Sequence, residues 1–204
     1  MIAMAEPVFT VANQLTMLRM AFVPLLVLLA LGSEFTWALV VFVVAGVTDV
    51  LDGYIARHGH QMTKLGATLD PIADKVMVGS TYAVLTWSDA VLYPMPTWLT
   101  VTLLFRDGML VVGVLAVNLT VGPRVFYPSR LGKVSSALNM ITGGVALAVN
   151  ATGECPPATH WLYVTTLVVL ILSTLQYIYS ASERPHGKKS PESPAARTEP
   201  GPPE

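Results

Sequence analysis

The chain alternates between long apolar runs and short polar breaks. Six apolar stretches follow one another, roughly Met17–Leu31, Phe35–Ala56, Pro71–Trp87, Thr97–Val117, Ser135–Asn150 and His160–Ser180. A helix needs about 20 apolar residues to cross a bilayer, within a range of about 17–25. The first and fifth stretches are near the short limit, so each is expected to borrow flanking residues. Pro24 in the first stretch is tolerable in a membrane helix and is a candidate kink. Trp37, Trp87, Tyr93, Trp98 and Trp161 stand near stretch ends, where interfacial anchors sit. The pattern predicts an all-α integral membrane protein with six transmembrane helices. Met1–Thr16 has an acid, Glu6, and no base before the first run, which argues against a secretory signal and for a short interfacial segment. Residues 183–204 hold six prolines among Ser, Lys and Glu. They are expected to form a disordered cytoplasmic tail behind a single membrane domain, 1–182.

Composition sharpens this. Of 204 residues, 53% are hydrophobic and only 12% charged, against about 25% charged in a soluble domain. A soluble globular protein and a disordered chain are both disfavoured. The net charge of −1 gives no field that would attract nucleic acid. A single cysteine, Cys155, leaves no internal disulfide and no cysteine-based zinc site.

The few charges set the orientation. The connections near 32–34, 88–96 and 151–159 contain no Lys or Arg and carry Glu34, Asp89 and Glu154. Eleven of the twelve basic residues lie on the other side, and the twelfth, Arg106, lies within a stretch. The excess of positive charge places both termini in the cytoplasm, in keeping with an even number of crossings.

Four aspartates gather between the second and third stretches. Asp49 and Asp52 are spaced i, i+3, and Asp70 and Asp74 i, i+4, so each pair shares a helix face. Gly53 and Ala56 continue the first face, and Gly66 and Ala73 flank the second pair. Small residues allow a backbone or ligand to come close. The connection is short, so the two helices are expected to pack antiparallel with their acid faces meeting. Four converging carboxylates at a membrane edge need neutralising, since one charge at a helix centre costs about 2.5–3.5 kcal/mol. Divalent cations do this, and an all-oxygen set suits Mg²⁺, Mn²⁺ or Ca²⁺. Two such ions would balance four carboxylates and could clamp a phosphoryl group. Arg57 and Lys64 are close enough in sequence to help bind an anionic ligand. The alternatives are ordinary helix-end aspartates, an ion or proton transporter, and a non-enzymatic scaffold. The transporter is disfavoured because, apart from Asp107, no acidic relay leads to the other side.

The run Asp49-Val-Leu-Asp52-Gly53-Tyr-Ile-Ala56-Arg57, followed by Gly66, Asp70 and Asp74, resembles the CDP-alcohol phosphotransferase signature. It agrees at all eight specified residues over 26 positions. The six-crossing layout is also similar, so the resemblance covers nearly the whole chain except the tail. It implies that an alcohol attacks the β-phosphorus of a CDP-activated donor, releasing CMP. It further implies that Asp49, Asp52, Asp70 and Asp74 hold two Mg²⁺ or Mn²⁺ ions, and that Asp74 is also the catalytic base. Gly53, Ala56, Arg57 and Gly66 would shape and bind the CDP part.

Within that family, Leu69–Val78 is similar to both phosphatidylglycerophosphate and cardiolipin synthases. Arg106-Asp107 resembles the cardiolipin synthases, and Gly132-Lys133 the phosphatidylglycerophosphate synthases. Arg106, as the only base near the middle of a stretch, is expected to be functional. With Arg130 and Lys133 it forms a candidate acceptor-binding set. The leading expectation is transfer of a phosphatidyl group from CDP-diacylglycerol to glycerol 3-phosphate. The alternatives are a cardiolipin synthase with phosphatidylglycerol as acceptor or another CDP-alcohol phosphatidyltransferase. The resemblance also implies a homodimer, surrounding membrane lipids, and an active site on the cytoplasmic side of a bacterial-type inner membrane.

Overall fold

A computed structural model describes residues 11–59, 64–121 and 130–182, with side chains for 17–49, 73–112 and 131–179. Among these residues there are six α-helices and no strands: α1 Val11–Leu31, α2 Phe35–Gly59, α3 Lys64–Trp87, α4 Thr97–Val121, α5 Arg130–Thr152 and α6 Ala158–Ser182. Each apolar stretch lies within one helix. The first and fifth are extended at their N-terminal ends, as their short apolar lengths require. Pro24 lies inside α1. The tail falls outside the described residues.

Two helical segments among those described, Leu131–Thr152 and Ala158–Tyr179, are long and apolar enough to cross a membrane. Met17–Leu31 and Phe35–Asp49 are shorter apolar helical segments. Large apolar side chains also cover the outside of the bundle, among them Leu28, Val112, Phe105 and Trp161. An apolar exterior of this extent would be unstable in water and is at home in lipid.

The interior is the more polar part, and helical spacing explains why. On α5, Ser135, Asn139, Thr142 and Ala146 recur at steps of four and three and are all buried. On α6 the same spacing buries Thr159, Tyr163, Thr166, Leu170 and Ser173. On α4 it buries Leu99, Leu103 and Arg106. Hydrogen bonds join these stripes across helices. Thr86 and Thr100 hydroxyls lie 2.6 Å apart between α3 and α4, and Thr142 and Thr166 hydroxyls 2.7 Å apart between α5 and α6. The Tyr82 hydroxyl donates to the Asn139 carbonyl at 3.0 Å, tying α3 to α5. Asn150 accepts from the Tyr93 amide at 2.9 Å, fixing the α3–α4 connection to the end of α5. Where lipid surrounds a bundle, such bonds and close packing replace the hydrophobic effect as the glue between helices.

The acid faces of α2 and α3, apart from Asp49, Ala73 and Asp74, lie outside the residues with described side chains. α1 packs on both α2 and α3. Beyond it, α3, α4, α6 and α5 pack each on the next around a ring, while α2 leans on α5.

The α2–α5 contact depends on missing side chains. A Cβ at Gly143 would lie 3.3 Å from Tyr82 Cε2 and 3.4 Å from Phe42 Cζ. Gly143→Val is therefore expected to cost about 1–3 kcal/mol by overpacking. Thermal unfolding in detergent would measure it, and a variant as stable as the parent would show that the rings are not confined.

Candidate active site

The helices bring Asp49, Asp74 and Ser173 to one level. They lie 13 to 15 residues from the helix ends marked by Phe35, Trp87 and Ala158. At 1.5 Å per residue they stand about 20 Å from the end where Trp37, Trp87, Trp98 and Trp161 are exposed.

Asp49 on α2 is held by α1. The Arg19 guanidinium meets its carboxylate, with Nη2 2.6 Å from Oδ1, and Arg19 is 1% exposed. Asp74 on α3 stands within electrostatic reach of Asp49, Arg19, Lys75 and Asp107. The acids of α2 and α3 thus share one electrostatic neighbourhood, with Arg19 between the helices. Asp52 and Asp70 belong to the same two helices, but their side chains lie outside the described residues. The same holds for Gly53, Ala56 and Arg57 on α2, for Gly66 on α3, and for Arg130, which opens α5. Among the described residues no three metal-binding side chains cluster. Those present still fit a hard cation, since Asp49 and Asp74 offer only carboxylate oxygens and lie close enough to repel.

A shallow cleft, partly open to solvent, lies beside Asp74. It is lined by Asp74, Lys75 and Val78 of α3, Leu103, Arg106 and Asp107 of α4, and Ser136 and Asn139 of α5. Arg106 lines the cleft, and it is already engaged. Its Nη1 donates to Asp107 Oδ1 at 3.1 Å and its Nη2 to Ser173 Oγ of α6 at 3.1 Å. Adjacent helix residues do not share a face, yet the long arginine side chain turns back to its neighbour. Lys75 also meets Asp107 Oδ1, at 2.6 Å, rather than an aspartate of the signature. Asp107 is therefore the common counter-ion of both cations in the cleft. Lys133, the remaining described member of the expected acceptor set, is exposed on the first turn of α5 and does not line the cleft.

Arg19, Asp107, Asn139 and Ser173 carry parts of this site that the sequence reading did not assign to it. A signal was present for each. Arg19 is a charge at the third position of an apolar stretch, Asp107 a charge inside another, and Asn139 and Ser173 are polar residues at heptad-like spacing within apolar helices.

Comparison with known proteins identifies the family. A sequence model of the CDP-alcohol phosphatidyltransferase family matches residues 9–175. Relatives include a cardiolipin synthase (CMP-forming) of Streptomyces coelicolor, 43% identical over 113 residues, covering 52% of this chain and 51% of the relative. The human cardiolipin synthase (CMP-forming) is 35% identical over 159 residues, covering 70% and 52%. A CDP-diacylglycerol–glycerol-3-phosphate 3-phosphatidyltransferase of Pectobacterium atrosepticum is 47% identical over 74 residues, covering 34% and 40%. The chain spans about half the length of the two cardiolipin synthases. It belongs to the CDP-alcohol phosphatidyltransferase family.

Proposed function

We propose that the protein transfers a phosphatidyl group from CDP-diacylglycerol to phosphatidylglycerol, forming cardiolipin and releasing CMP. The observation that carries this choice of acceptor is the ion-paired cleft. The two cations that line it, Lys75 and Arg106, already share one carboxylate, Asp107. A phosphomonoester such as glycerol 3-phosphate brings up to two negative charges into a space whose cations are occupied. A lipid phosphodiester brings one. The longer matches, to proteins named cardiolipin synthase, support the same acceptor.

In this reaction the terminal headgroup hydroxyl enters the cleft beside Asp74. Its oxygen forms a bond to the β-phosphorus of CDP-diacylglycerol, the bond from that phosphorus to CMP breaks, and the hydroxyl proton passes to an Asp74 carboxylate oxygen. Asp49, Asp52, Asp70 and Asp74 would hold two Mg²⁺ or Mn²⁺ ions, which supply charge neutralisation at the phosphates when bound. Gly53, Ala56, Arg57 and Gly66 would form the CDP side of the site. Arg106 and Lys75 face the acceptor's phosphate, with Arg130 and Lys133 at the start of α5 as further cations for its approach. The chain would cross a bacterial-type inner membrane six times as a homodimer, with both termini and the site at the cytoplasmic face.

The test is an acceptor screen with purified protein and labelled CDP-diacylglycerol. CMP release is expected to require phosphatidylglycerol and a divalent cation, and a chelator should abolish it. Product with glycerol 3-phosphate but not with phosphatidylglycerol would instead establish the second reading, which the 74-residue match to the glycerol-3-phosphate enzyme favours. Ion flux in proteoliposomes without CMP formation would support a transporter.

A further inference from the structure

We propose that Arg19 is a resident counter-ion of the acid site: it competes with a divalent cation for Asp49 and so weakens the protein's hold on that cation. The starting point is an ion pair between unequal partners. Arg19 Nη2 lies 2.6 Å from Asp49 Oδ1, and the arginine side chain is 1% exposed where the aspartate side chain is 39% exposed. The guanidinium is sealed in the bundle behind a carboxylate that a cation can still reach. Arg19 comes from α1, which carries none of the signature residues. Its charge also acts on the second acid helix, since Asp74 feels Arg19 as an opposite charge and Asp49 as a like one.

An arginine is always charged, so this positive charge is permanent. It is buried, so salt screens it little. A carboxylate already paired with a guanidinium offers less negative potential to a second cation, and a divalent ion on Asp49 also meets a like charge across one carboxyl group. The opposite demand holds for the ion-free protein. Asp49 and Asp74 repel each other, and Arg19 offsets that repulsion. Without the guanidinium the carboxylates stand unbalanced among packed helices, a costly arrangement. One charge therefore has two effects of opposite sign. It stabilises the ion-free fold, and it keeps the ion exchangeable.

This competition rests on the metal site of the function proposed above, but not on the choice of acceptor. The experiment uses the full chain in detergent with Mn²⁺ alone and no CDP-lipid. The parent, Arg19→Met and Arg19→Lys are each prepared with Mn²⁺ present and titrated with a chelator, and release of Mn²⁺ is followed by its electron paramagnetic resonance signal. Arg19→Met is expected to need about tenfold to a hundredfold more chelator than the parent, because the like charge is gone. Arg19→Lys keeps the charge and should stay within about threefold of the parent. In excess chelator Arg19→Met should unfold at a lower temperature than the parent, and Mn²⁺ should narrow that gap. Unchanged retention in Arg19→Met overturns the competition, since the guanidinium then has only a structural role. Weaker retention also overturns it, since Arg19 then orients Asp49 to grip the ion. Failure of Arg19→Met to fold even with Mn²⁺ present overturns it too, because the ion then does not take the place of the charge. A parent that retains no Mn²⁺ overturns the metal site and the competition with it. CMP release from CDP-diacylglycerol is assayed separately. Its absence in a parent that retains Mn²⁺ fails the transfer reading and not the competition, which the retention data decide.

Discussion

Asp74→Asn is expected to lower CMP release by about 10²–10⁴-fold, the usual contribution of a positioned general base. That corresponds to about 2.7–5.5 kcal/mol of barrier. The cleft gives the physical ground. Asp74 is the only carboxylate of the family signature that lines it among the described side chains. Asn has the same shape and keeps a carbonyl oxygen, but an amide does not take up the proton of an alcohol. The variant should therefore fold and unfold at nearly the parental temperature while turnover collapses. Excess Mg²⁺ or Mn²⁺ should not restore it, because supplying cation does not supply the base. Activity within tenfold of the parent would remove Asp74 from the proton transfer. A scaffold would keep its cellular role in this variant, whereas an enzyme would not.

The six helices are legible because the apolar runs are long and separated by short polar breaks, and every run lies within one helix. The signature aspartates are legible because i, i+3 and i, i+4 spacing survives any packing arrangement. What could not be read was pairing between helices. Lys75 stands next to Asp74 in sequence, yet its ammonium reaches a residue 32 positions away on α4. The insertion of α1 beside both acid-bearing helices, with Arg19 on Asp49, is equally a product of tertiary packing. Local spacing fixes the face a residue occupies and not the helix that face meets. The buried polar stripe of α5 shows a different limit. Hydropathy averages Ser135, Asn139 and Thr142 into an apolar run and so conceals that they point inward.

Asp107→Asn is expected to destabilise the protein while tightening its hold on anionic acceptors. The parent carboxylate accepts from Lys75 Nζ at 2.6 Å and from Arg106 Nη1 at 3.1 Å through the same oxygen. Arg106 is only 5% exposed, so its charge has little access to water once that anion is gone. Removing one member of a buried pair costs about 3–5 kcal/mol. The amide oxygen can still accept a hydrogen bond, and Asp107 is partly exposed, so the low end of that range, about 3 kcal/mol, is expected. The two cations then lack their resident carboxylate and a bound phosphate replaces it. A ligand at 100 times its Kd stabilises the folded state by about 2.7 kcal/mol, enough to offset most of the loss. Thermal unfolding should therefore respond more strongly to acceptor in Asp107→Asn than in the parent. KM for the acceptor should fall, with the larger relative gain for glycerol 3-phosphate, whose second charge meets the strongest opposition from Asp107. If KM instead rises for both acceptors, Asp107 positions Arg106 for binding rather than competing with the substrate, and the charge argument for a phosphodiester acceptor fails with it.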